Sequence, residues 1–144
     1  MSTRREFLAD ICKLCAFAGI AGIAATTLES CNSIQSATAT VEGDQLRVAL
    51  TAFGEGTQLL VRSSKTSFDI LAHKRSDSTY GAVLMECTHQ QQPLTPSGTS
   101  LYCSSHGSKF DLEGNVLMSP ATKPLTKYAT TISGSDLLIT LKPI

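Results

Sequence analysis

A chain of 144 residues with 42% hydrophobic side chains has the length of one domain and the apolar content for one core. Twelve basic side chains balance twelve acidic ones, and no Lys/Arg run or basic helix face occurs, so no nucleic-acid partner is expected. No Ser/His/Asp triad, paired-carboxylate site, phosphate loop or nucleotide fingerprint stands out either.

Residues 1–30 differ from the rest of the chain. Arg4 and Arg5 precede an apolar run from Ile11 to Leu28 in which Lys13 is the one charge. A positive segment ahead of a moderate apolar stretch is the pattern of a bacterial export signal. Arg4-Arg5-Glu6-Phe7-Leu8 resembles the twin-arginine signals of proteins exported already folded, with Ala9 where those signals often carry Lys. The resemblance implies export across the cytoplasmic membrane to its periplasmic side. Leu28-Glu29-Ser30-Cys31 resembles a lipoprotein processing site, from which Glu29 departs, since small neutral residues are usual there. Membrane attachment is therefore expected either through a lipid on Cys31 or through an uncleaved N-terminal helix at the lower edge of spanning length. Cys12 and Cys15 form a Cys-x-x-Cys inside this signal and are read as incidental.

Residues 31–43 are rich in Ser, Thr and Ala and read as a flexible tether. Residues 44–144 then form the domain. Leu46, Val48 and Leu50 alternate with Arg47, Ala49 and Thr51, giving one sheet face toward a core. Gly54-Glu55-Gly56 interrupts that run and Leu59-Leu60-Val61 resumes it, which predicts a hairpin. Phe68–Ala72 and Ala82–Met85 are further strands. Tyr128–Ile132 and Leu137–Leu141 flank Ser133-Gly134-Ser135-Asp136, a second hairpin signal. No window after residue 41 keeps a helical period, so the fold class is all-β.

Between the two hairpins lies Cys87-Thr88-His89, answered by Cys103-Ser104-Ser105-His106-Gly107-Ser108. Each half offers one thiolate and one imidazole in the same order. On these residues alone a disulfide or a Cys₂His₂ zinc site stays open, although zinc fingers group two Cys before two His. Cys-x-His followed by Cys-x-x-His-Gly-Ser resembles the Rieske iron–sulfur proteins, with Phe110-Asp111 and Gly114 similar to the family's tail after the second loop. The resemblance implies a small antiparallel β-sandwich with an inserted cluster-binding subdomain. It also implies one [2Fe–2S] cluster per chain, held by Cys87, His89, Cys103 and His106. Ser108 matches a serine whose hydroxyl can donate to a bridging sulfide. Ser119-Pro120-Ala121-Thr122-Lys123-Pro124-Leu125 resembles the proline-containing loop that covers the cluster, and an ordinary turn is the alternative.

The departures from cytochrome bc members are specific. Gln92 and Ser105 stand where those proteins carry a bridging disulfide, and Phe110 stands where high-potential members have a Tyr donor. One donor fewer implies a potential below the bc type, yet above a four-thiolate centre. His73, the histidine left over, is expected to be a surface or packing residue. The function implied is one-electron transfer, by an exported carrier or a small redox subunit. Its partner would be a cytochrome, a quinol-oxidising complex or a larger oxidoreductase subunit. The alternative is a cell-surface domain held by structural metal or a disulfide, with no redox role. At this length a dioxygenase catalytic subunit, with its second, mononuclear-iron domain, is not expected.

Overall fold

Gln35–Thr38 (β1) and Thr40–Glu42 (β2) are two halves of one extended segment, joined through buried Ala39. The computed structural model describes residues 34–144; the signal segment with Cys12, Cys15 and Cys31 lies outside the described residues. The other strands of the main sheet are Gln45–Ala49 (β3), Gln58–Arg62 (β4), Ile70–Lys74 (β5), Tyr80–Leu84 (β6), Lys127–Ser133 (β11) and Asp136–Pro143 (β12). The eight run in the order β1-β4-β5-β6-β11-β12-β3-β2. β1 pairs in parallel with β4, and β2 pairs antiparallel with β3. The two edges of the sheet are thus halves of one segment, which closes the sheet and protects both edges.

This corrects the tether expected over residues 31–43 in its described part, residues 34–43. Ala37, Ala39 and Val41 point inward while Ser36, Thr38, Thr40 and Glu42 are exposed. The period of two is present, but its inward members are too small to stand out from a Ser/Thr/Ala background. The hairpin expected across Gly54-Glu55-Gly56 is also corrected. β3 and β4 are not neighbours; a short 3-10 turn, Leu50–Phe53, buries Phe53 and carries the chain across to β4. The β11–β12 hairpin forms as the sequence predicts, with Ser133 opposite Asp136.

Between β6 and β11 a four-stranded antiparallel sheet is inserted. It comprises Thr95–Ser97 (β7), Ser100–Tyr102 (β8), Lys109–Asp111 (β9) and Val116–Met118 (β10). Two cores result. The first lies inside the closed sheet and includes Leu46, Val48, Leu59, Val61, Leu137 and Ile139. The second joins Leu71 and Val83 of the main sheet, and Met85 just after β6, to Leu101, Phe110 and Leu125, and it contains both Cys87 and Cys103. β5 serves both, with Ile70 and Ala72 facing the first core and Leu71 facing the second. Burying an aliphatic side chain of this size contributes about 1.5–3 kcal/mol, so the second core fixes the base beneath the motif loops.

Candidate metal centre

The two motif loops share one backbone design. Cys87 N–H donates to Gln92 O at 2.8 Å, and Gln91 N–H donates back to Cys87 O at 2.8 Å. In the second loop Cys103 N–H donates to Ser108 O at 2.9 Å, and Gly107 N–H donates to Cys103 O at 2.9 Å. The fourth residue after each cysteine is left-handed: Gln91 at φ 50° and Gly107 at φ 85°. That reversal turns each loop back on its own cysteine. Glycine adopts it without strain, whereas glutamine does so at a cost.

Each loop hides sulfur and exposes nitrogen. Cys87 and Cys103 are each 1% exposed, and both are free thiols. His89 and His106 are solvent-exposed, with ring centroids 5.0 Å apart and planes at 84°. The two thiols belong to the second core and the two imidazoles form the outer rim. No three His, Cys, Asp or Glu side chains among the described residues converge to hold a single ion.

The segment 119–125 spans both loops. Thr88 Oγ1 donates to Lys123 O at 2.6 Å, and Ala121 N–H donates to Ser108 Oγ at 3.0 Å. Leu125 N–H donates to Gly114 O at 2.8 Å, tying its far end to the β9–β10 turn. The segment opens with a cis Ser119–Pro120 peptide. Those ties make it a cover for the motif loops. Ser108 is fully buried; a hydroxyl that accepts from Ala121 still has its own proton to donate. Phe110 is also fully buried and brings no polar atom to the site.

His73, expected as a surface or packing residue, takes the buried position. It is 3% exposed, and its Nε2 lies 2.8 Å from Glu113 Oε1 in the β9–β10 turn. Arg75 holds the same carboxylate through Nε at 2.7 Å and Nη2 at 2.6 Å. The period of two along Leu71, His73 and Arg75 is the signal that places them on one face. The group lies in the join between the two sheets and brings no atom to the motif loops.

The donor set fits a two-iron centre. Two buried thiols would take one iron and two exposed imidazoles the other, so neither iron needs a third protein ligand. A mononuclear zinc site needs four ligands around one point.

The model of the Rieske [2Fe-2S] domain matches residues 36–129, beginning inside β1. Among solved structures the chain is similar to the plasma-membrane Rieske protein of the cyanobacterium Synechocystis PCC 6803. Identity is 26% and the TM-score 0.52, over 58% of this chain and 86% of that one. It also resembles a chain in the complex of reduced oxygenase and oxidised ferredoxin of carbazole 1,9a-dioxygenase. There the identity is 21% and the TM-score 0.57, over 72% of this chain and 98% of that one, which is a likeness of fold. A search of curated proteins finds no match. The matched span covers well over half of the chain and contains both motif loops, and the chain belongs to the Rieske [2Fe–2S] domain family, with one [2Fe–2S] cluster as its cofactor.

Proposed function

We propose that this protein is a one-electron carrier, or a small redox subunit, whose cluster is held by Cys87, Cys103, His89 and His106. The observation that carries this is the pairing of two free, buried thiols with two exposed imidazoles 5.0 Å apart, on loops of matching backbone design. When bound, a [2Fe–2S] cluster takes up and releases a single electron. The chain's own residues supply the setting. The second core keeps water from the thiols, the cover tied to Thr88 and Ser108 holds the loops together, and the exposed histidines form the edge a partner can approach.

The same proposal includes export. Arg4 and Arg5 address the route that carries folded proteins, which a cluster loaded in the cytoplasm requires. Attachment to the membrane, through Cys31 or the apolar segment, draws support from the similarity to a plasma-membrane Rieske protein.

The test is the visible spectrum and iron content of the purified protein and of Cys87→Ser and Cys103→Ser. The parent is expected to be coloured with two irons per chain, and each variant colourless and iron-poor. Two irons retained in either variant would remove that cysteine from the ligand set. A colourless parent would return the protein to the structural alternative.

A further inference from the structure

The β9–β10 turn, Asp111–Asn115, is braced from within. The Asp111 carboxylate accepts the Asn115 backbone N–H at 2.8 Å and its side-chain amide at 2.9 Å. Asp111 N–H donates to Asn115 O, and Gly114 N–H to Asp111 O, both at 3.0 Å. The braced turn touches β5, β6, β11 and the cover. Glu113 takes the two Arg75 bonds and the His73 contact from β5. Asn115 Oδ1 accepts from Lys127 Nζ of β11 at 3.2 Å. A Cβ on Gly114 would stand 3.0 Å from Leu125 Cβ and 3.3 Å from Val83 Cγ1, so its backbone packs directly on the cover and on β6. Gly114 O also accepts Leu125 N–H at 2.8 Å.

From that turn the contacts continue to both motif loops. Leu125 ends the cover, whose Lys123 carbonyl takes the Thr88 hydroxyl and whose Ala121 N–H donates to Ser108 Oγ. Thr88 lies between Cys87 and His89, and Ser108 lies two residues after His106. The contacts on Glu113 are the charged members of this series, and hydrogen bonds to an ionised group are about twice as strong as neutral ones. The Lys127–Asn115 contact is longer and is exposed. The seat of the turn on the closed sheet therefore depends most on Arg75, Glu113 and His73.

We propose that Arg75, Glu113 and His73 together act as a positioning unit for the cluster. By seating the Asp111–Asn115 turn they hold the cover on both motif loops. That retains the cluster and orients the Ser108 hydroxyl, which by the family resemblance donates to a bridging sulfide. The proposal rests on the one-electron function proposed above and adds to it residues outside the ligand set.

The test uses the full, cluster-loaded protein with Arg75→Gln, Glu113→Gln and the two combined. Arg47→Gln is the control, since it breaks an ion-pair network among β2, β3 and β12 that has no bond to the turn or the cover. Each single variant is expected to release iron to a chelator roughly fivefold to tenfold faster than the parent, the effect of one lost charge-assisted hydrogen bond on a local opening. The combined variant should be no faster than the singles, because either change already breaks the clasp. Both singles should lower the reduction potential, because a less firmly held Ser108 donor stabilises the reduced cluster less. A charge acting through space would shift the potential in opposite directions, since one variant removes a cation and the other an anion. Arg75→Lys keeps the charge without the paired bonds; it should lie between the parent and Arg75→Gln, and it carries the test if the neutral variants do not fold. Hydrogen exchange should rise in a fragment spanning 119–125 and keep the parent's rate in one spanning 136–143. Opposite or absent shifts in potential, additive iron release, equal rises in both fragments, or release from Arg47→Gln as fast as from the clasp variants would overturn the proposal. An iron-free parent would instead remove the electron-transfer reading, and exchange in 119–125 would still decide whether the clasp holds the cover.

Discussion

His73 Nε2 and Glu113 Oε1 lie 2.8 Å apart across the join between the closed sheet and the inserted one. A carboxylate accepts only, so the ring proton sits on Nε2 and leaves Nδ1 buried without a hydrogen-bond partner. Glu113 also takes both Arg75 bonds, and Arg75 Nη1 donates to Tyr80 O at 2.7 Å. Glu113 is thereby the clasp between β5 and the turn whose Gly114 carbonyl holds the cover segment.

The clasp makes stability depend on acid. The Arg75 hydrogen bonds hold the Glu113 carboxyl down at about 2 from an ordinary 4.5; partial burial opposes this, and His73 adds to the lowering. A depressed carboxyl contributes stability that is complete above its unfolded value and is lost as pH falls from 4.5 toward 2. Glu113 is 42% exposed, so solvent screening reduces the contribution to on the order of 1 kcal/mol. Glu113→Gln should lose that amount at neutral pH and show a flatter stability curve than the parent in this window. Chemical denaturation at a series of pH values measures both, and parallel curves would remove Glu113 from the acid response.

Gly81, opposite His73 in the β5–β6 pair, is where the imidazole needs room. A Cβ there would collide with His73 Cε1 and Nε2 and with the Arg75 guanidinium. Gly81→Ala should therefore displace the ring from Glu113 and destabilise the protein by about 1–3 kcal/mol. Thermal unfolding checks the size. An intact His73–Glu113 contact in the variant's structure would show that the ring can yield without leaving its partner.

How far the sequence reached differs between the site and its frame. The motif was legible because cysteine and histidine carry their chemistry in their identity, and the two loops lie within about twenty residues of each other. β5, β6 and the β11–β12 hairpin were legible because Ile70, Leu71, Val83, Leu137 and Ile139 are large enough to show a period. β1 and β2 were not, since their inward side chains are Ala37, Ala39 and Val41. Their pairing is also long-range, with Gln35 opposite Leu59 and Val41 opposite Leu46 on different edges of the sheet. The β3–β4 hairpin failed for the related reason that a glycine pair marks a turn without saying which strands meet. The His73–Glu113 clasp joins residues forty apart, beyond what local pattern encodes.

The two left-handed loop positions should respond oppositely to substitution. Gly107→Ala places a Cβ where φ is 85° and should cost about 1 kcal/mol. Gln91→Gly relieves the same strain at φ 50°, offset in part by the greater freedom of glycine in the unfolded chain, and should be neutral to slightly stabilising. Denaturation of the two variants side by side gives the sign. Equal losses in both would mean that the Gln91 side chain contributes more than its backbone conformation costs.

Ser108 separates a structural role from an electronic one. Its Oγ accepts from Ala121 N–H, and its own proton is left to donate, by the family resemblance to a bridging sulfide. Reduction adds negative charge to the cluster, so a donor there stabilises the reduced state and raises the potential. Ser108→Ala removes that donor and also leaves Ala121 N–H without its acceptor. The first loss should lower the reduction potential by about 50 mV, the equivalent of one hydrogen bond for a one-electron couple. The second should cost about 1 kcal/mol of stability. Voltammetry and denaturation read the two separately. A lowered potential accompanied by lost stability is the outcome expected of a hydroxyl that both holds the cover and donates to the cluster. An unchanged potential in a folded, iron-loaded variant would leave Ser108 as a support for the cover alone.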